Sequence, residues 1–171
     1  TLESIGQYAY YQCKELVSVE PLLPDSVKFV GIYAFTFDAK LTNSVSLGRT
    51  NVVTLEYAPG QPKWADRYGC DASQFSQCVR LGDVYLGPGV TNVPYASFNL
   101  VASEGGGTRV EIAGAKTIGD RTFYGCERMK ELILPEDLLS IGHEAFRLCK
   151  KLSRVTPFLP ASLRSLGGYA F

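Results

Sequence analysis

Histidine, methionine and tryptophan are almost missing from this chain, with one of each in 171 residues. One histidine and no off-register pair of cysteines leave no zinc-type ligand spacing. No apolar run approaches the roughly 18 residues that a helical membrane span requires. Neither sign of charge dominates, since 17 Lys and Arg offset 17 Asp and Glu. A neutral chain has no global field to draw in nucleic acid or an anionic membrane. The sequence opens on Thr1 with no secretory leader in view, which says nothing about secretion. What remains, 46% apolar and 20% charged residues, is ordinary for one folded domain.

What is present is a repeated phrase. Ile5 and Gly6 are followed by Ala9 and Tyr10, then Cys13. Val30 and Gly31 lead to Ala34 and Phe35; Ile118 and Gly119 lead to Thr122, Phe123 and Cys126. Ile141 and Gly142 lead to Ala145, Phe146 and Cys149, and Leu166 and Gly167 lead to Ala170 and Phe171. Neighbouring copies are 23 to 25 residues apart. A fixed period of this size means stacked coils, none of which can bury its apolar face alone. The repeat aromatics are expected to point inward and pile on one another. The glycines of the phrase are expected to supply a turn with positive φ.

Alternation at Leu132-Ile133-Leu134 reads as a short strand with one buried face, halted by Pro135. The register loosens in the middle. Phe75 and Cys78 restart it with strand residues Leu81, Val84 and Leu86, Pro94 replaces the glycine, and Phe98 follows. From Phe35 to Phe75 the gap is 40 residues, so residues 48–74 hold an irregular insertion. Its first half, residues 51–57, reads as an extra strand. Its second half is a Pro/Gly loop containing Trp64. The whole chain, 1–171, reads as one solenoid, and its uncapped ends suggest a segment of a longer array, or an array that ends on a partner. Four of the five cysteines (Cys13, Cys78, Cys126, Cys149) fall three residues after a repeat aromatic and read as a column of free core thiols. Cys70 is off the register, free or paired.

The span from Ile141 through Ala145, Phe146, Cys149 and Leu152 to Val155 resembles the BspA-type leucine-rich repeats. The resemblance covers residues 2–47 and 75–171. It implies an α/β-type repeat solenoid, with short strands forming one continuous sheet and few or short helices or turns on the other side. It also implies a surface or secreted, extracellular protein, of a kind often described as an adhesin that binds host proteins.

Solenoids bind along their sheets. Alternation places Glu20, Ser46, Tyr85, Glu111, Ile133 and Thr156 in one outward row, and Ser18, Ser44, Asp83, Arg109, Glu131 and Arg154 in the next. The second row alternates in sign and either satisfies itself across the ladder or presents a patterned face to a ligand. Trp64 with Tyr57, Tyr68, Arg67 and Lys63 has the composition of an interface anchor, or plugs the break in the coil. His143 reads as a solvated turn residue. Gly105-Gly106-Gly107 lacks the ending of a phosphate loop. No carboxylate pair is set up for acid–base work. The expectation is a non-enzymatic module with no cofactor and no metal. It would bind a protein, less readily a glycan, and not nucleic acid; a structural spacer is the alternative. The tentative partner-binding residues are Trp64, Tyr57, Tyr68, Arg67, Tyr85, Glu111 and Ile133.

Overall fold

The computed structural model describes residues 1–20, 22–55 and 74–171. They form a parallel β-solenoid of twelve short strands. These are β1 (Ser4–Ile5), β2 (Phe29–Val30), β3 (Val45–Leu47), β4 (Thr54–Leu55), β5 (Val84–Leu86) and β6 (Asn92–Val93). Then come β7 (Arg109–Ile112), β8 (Thr117–Ile118), β9 (Glu131–Ile133), β10 (Ser140–Ile141), β11 (Arg154–Thr156) and β12 (Ser165–Leu166). Each full coil contributes one strand to each of two rows. The first row is a continuous five-stranded sheet, β3-β5-β7-β9-β11. The second is split into β1-β2-β4 and β6-β8-β10-β12. The expected single continuous sheet is therefore corrected to two rows, one of them interrupted.

Inside, the repeat aromatics make one column. Tyr10 stacks on Phe35 at 4.9 Å between ring centroids, Phe35 on Phe75 at 5.1 Å and Phe75 on Phe98 at 5.1 Å. Phe98 stacks on Phe123 at 5.2 Å, Phe123 on Phe146 at 5.5 Å and Phe146 on Phe171 at 5.3 Å. The spacing is close to the strand separation of a sheet, about 4.8 Å, because each ring is carried by a backbone locked to its neighbour. Phe35 stacks directly on Phe75 across the 40-residue gap, so the intervening segment is accommodated without breaking the column. Strand β4, inside the segment read as an insertion, is likewise in register: Phe29 lies beside Thr54 and Val30 beside Leu55. It is a regular rung of the second row, not an addition. The remainder of that segment, with Tyr57, Lys63, Trp64, Arg67, Tyr68 and Cys70, lies outside the described residues.

No helix occurs among the described residues, so the α/β expectation gives way to an all-β coil. The reason lies in where the backbone hydrogen bonds go. Around each aromatic, alternate amides bond to the next coil instead of to their own. The Tyr8 amide donates to the Ile32 carbonyl at 3.1 Å, Tyr10 to Ala34 at 2.7 Å and Gln12 to Thr36 at 3.0 Å. The pattern recurs at Phe98 to Thr122 (2.9 Å), Leu100 to Tyr124 (2.8 Å), Phe123 to Ala145 (2.7 Å) and Phe146 to Ala170 (2.7 Å). A helix would consume these same groups internally.

This ladder requires left-handed residues, and the phrase glycines do not supply them. Positive φ falls two residues later, at Tyr8, Tyr33, Ala96, Arg121, Glu144 and Tyr169, with values from 48 to 59°. It falls again two residues after the aromatic, at Gln12, Phe37, Gln77, Leu100, Gly125 and Leu148. The glycines instead admit the neighbouring backbone. A Cβ on Gly142 would sit 2.5 Å from both the Asp120 nitrogen and the Gly119 carbonyl carbon.

The thiol column is partly as expected. Cys78 and Cys126 are buried and Cys149 is half-buried, all as free thiols. Cys13 is exposed.

Candidate interaction surface

The five-stranded sheet fixes what it displays. Val45, Val84, Val110 and Leu132 are buried in line along it, with half-buried Val155 beside them. Strand alternation then turns their neighbours outward. Register places Ser46 beside Tyr85, Tyr85 beside Glu111, Glu111 beside Ile133 and Ile133 beside Thr156. The row read from the sequence, including Tyr85, Glu111 and Ile133, is thus brought together as one stripe. It begins at Ser46: residues 18–20 form no strand, so Ser18 and Glu20 do not extend it.

The charged stripe beside it is largely satisfied from within. Arg109 reaches Glu111 and Glu131, each at 2.8 Å. Arg154 reaches the other oxygen of Glu131 at 3.3 Å. Hydrogen bonding to Glu111, then to Glu131, raises the Arg109 guanidinium above its ordinary value. Asp83 departs from the expected sign alternation. Its Oδ1 accepts from the backbone amides of Thr108 at 2.8 Å and Arg109 at 3.0 Å, so it caps the entry to β7 and, among the described residues, pairs with no arginine side chain. At one end, the Arg49 guanidinium covers the Tyr85 ring at 4.7 Å while its Nε donates to Ser46 at 2.6 Å. Cation–π contacts at exposed sites contribute about 0.5–1 kcal/mol. Arg49 could not have been found from alternation, because it follows the strand in the turn after Gly48.

A second cluster lies in the turns. Glu144 is buried and is held by Arg121 Nε at 2.6 Å and by Arg147. The Nε2 of exposed His143 is 3.8 Å from the same carboxylate. The Arg121 hydrogen bond, ahead of the Arg147 one, draws the Glu144 carboxyl below the ordinary range. A lowered folded-state value favours the ionised form. The resulting stability is present above the ordinary carboxylate range and is lost as pH falls through the folded value. Glu144→Gln is therefore expected to erase that acid limb. Thermal midpoints of the two proteins should converge toward pH 2 and separate, wild type above, by pH 5 and beyond. A constant difference across that range would show that Glu144 titrates normally.

These arrangements form ion pairs and hydrogen bonds and offer no nucleophile beside a base. Among the described residues, no three His, Cys, Asp or Glu side chains are grouped to hold a metal ion. No helix among them is long and apolar enough to cross a membrane. Trp64, Tyr57, Tyr68 and Arg67 lie outside the described residues.

No curated protein and no solved structure matches the chain. The profile of the BspA type leucine rich repeat region matches in six copies, over residues 1–57 and 110–171. Residues 58–109, which include the later part of the long gap and the unit carrying Pro94, fall outside it. With most of its length covered, and with aromatic, glycine and strand positions recurring coil after coil, the chain belongs to the BspA-type leucine-rich repeat family.

Proposed function

We propose that this chain is a non-enzymatic binding module that presents its five-stranded sheet to a macromolecule outside the cell, a protein before a glycan. The observation that carries this reading is the stripe of Ser46, Tyr85, Glu111, Ile133 and Thr156. It sets one aromatic, one aliphatic and several hydrogen-bonding groups in register on a rigid backbone. A ladder that is already ordered loses little freedom on binding. Membership in a repeat family of surface proteins is consistent with an adhesion role.

A second reading is favoured by one observation: Arg109, Glu111, Glu131 and Arg154 satisfy one another. A self-paired face suits a structural spacer that holds another domain away from a surface.

The readings separate in a binding screen against arrayed extracellular proteins and glycans. The paired variant Tyr85→Ala, Ile133→Asp is expected to lose at least about tenfold in affinity for whatever the wild type captures, in line with the loss of a central anchor. Its circular dichroism should be unchanged, because both side chains point outward. Absence of any captured ligand, or capture indifferent to both changes, would favour the spacer.

A further inference from the structure

One position breaks the chemistry of the internal column. Three residues after the repeat aromatic, successive coils carry Cys13, Asp38, Cys78, Val101, Cys126 and Cys149. Three of the thiols make the same contact. Cys78 Sγ donates to the Phe35 carbonyl at 2.8 Å, Cys126 to Phe98 at 3.3 Å and Cys149 to Phe123 at 3.3 Å. Each reaches the aromatic carbonyl of the coil before its own. Asp38 stands where a thiol donor belongs. It is completely buried, and neither carboxyl oxygen has a hydrogen-bond partner. The acceptor this register offers it is the Tyr10 carbonyl. A carboxylate, which only accepts, cannot use that group; a carboxylic acid, with an O–H to donate, can.

Among the described residues, the groups facing Asp38 do not favour a charge. From the coil before comes the exposed Cys13 thiol, and from the coil after comes the buried Cys78 thiol. On its own coil, Lys40 is turned to the surface, where it pairs with Glu15 at 2.6 Å. The Cys13 amide lies near the carboxyl and weakly favours ionisation, without the geometry of a hydrogen bond. An isolated carboxylate in apolar surroundings is costly enough that it takes up a proton instead.

We propose that Asp38 is a buried proton switch in the thiol column: neutral, it locks the first coil onto the second; ionised, it loosens that stack. The piece it governs is residues 4–20, which contain exposed Tyr8, Tyr11 and Val17. Burial pushes the Asp38 carboxyl from the ordinary carboxylate range up to about 7. With the folded value raised, the folded state holds a proton that the unfolded chain has already released. The stability is therefore fully present below about pH 4 and is lost as pH rises through about 7.

Two measurements on the full chain test this. In carbon-13 spectra of protein labelled at the aspartate carboxyls, one resonance should titrate near neutrality and vanish in Asp38→Asn. If every aspartate titrates below about pH 5, the proposal fails. Asp38→Cys restores the column residue of the other coils and should fold. Relative to it, the folding constant of the wild type should fall about tenfold per pH unit between roughly pH 4 and pH 7, and level off above. Amide exchange, corrected for its intrinsic rate, should show the loss confined to the first two coils. Parallel pH profiles for wild type and Asp38→Cys would overturn the switch.

Discussion

Phe123→Ala should destabilise the protein by about 3–5 kcal/mol, against a total stability of about 5–15 kcal/mol for an ordinary domain. Phe123 is fully buried, with Phe98 at 5.2 Å on one side and Phe146 at 5.5 Å on the other. Its removal forfeits about 1.5–3 kcal/mol of transfer energy and roughly 0.5–1.5 kcal/mol for each of two ring contacts. Collapse cannot refill the space. The backbone on each side is pinned by the amide ladder, with the Phe98 amide on Thr122 at 2.9 Å and the Phe123 amide on Ala145 at 2.7 Å. In a stacked array the damage also falls on coupling between coils. Denaturant unfolding followed by circular dichroism should therefore show a lower midpoint and a broadened or split transition, as coils on the two sides unfold separately. Tyr10→Ala, at the end of the column and only half-buried, should cost distinctly less. Equal losses at the two positions would mean that the column is not the core.

The column was legible because an aromatic every 23 to 25 residues has one economical explanation, a ring on every coil. Phe75 was recoverable as a rung despite the 40-residue gap, since Cys78 followed it in register. The second strand row was harder to read. Its strands are two residues long, as at Ser4–Ile5 and Ser140–Ile141, too short for alternation to register. The helix expectation came with the resemblance, and the inter-coil bonds at Tyr8, Tyr10 and Gln12 overrule it, since no local propensity reports where an amide will find its acceptor. Left-handed residues such as Tyr33 and Glu144 escaped notice for a related reason. They are not of the types that choose positive φ, and the stacked neighbours impose it on them.

The candidate surface was half legible. Alternation alone ordered Ser46, Tyr85, Glu111, Ile133 and Thr156 correctly, because a parallel in-register ladder preserves face from strand to strand. Alternation gives no information about partners. Asp83 was read as a member of a charge ladder, yet it binds the Thr108 and Arg109 amides. The meaning of Asp38 depends on the three thiol-to-carbonyl contacts, which only the fold displays.

Gly142→Ala is the second change expected to be severe, and Gly6→Ala is its control. Both glycines hold the same place in the repeated phrase, and neither has positive φ, so neither sits in a conformation that L side chains resist. Only their surroundings differ. A methyl group on Gly142 would meet the Asp120 carboxylate at 2.4 Å and the backbone of Asp120 and Gly119 at 2.5 Å. Backbone cannot swing aside as a side chain can. The coils would have to part locally, stretching the Gly142 amide bond to the Ile118 carbonyl, now 2.8 Å, and the His143 amide bond to Asp120, now 2.7 Å. Overpacking of this kind costs about 1–3 kcal/mol, and a rigid obstacle on the methyl's path places Gly142→Ala at the upper end. On Gly6 the same methyl meets nothing within 4 Å. There the substitution should be neutral or should stabilise by about 0.4–1 kcal/mol, by restricting the unfolded chain. Thermal denaturation of the two variants in one buffer decides the matter. Opposite signs identify close approach of stacked coils as the reason for glycine at this position, and matching losses would return the explanation to backbone conformation.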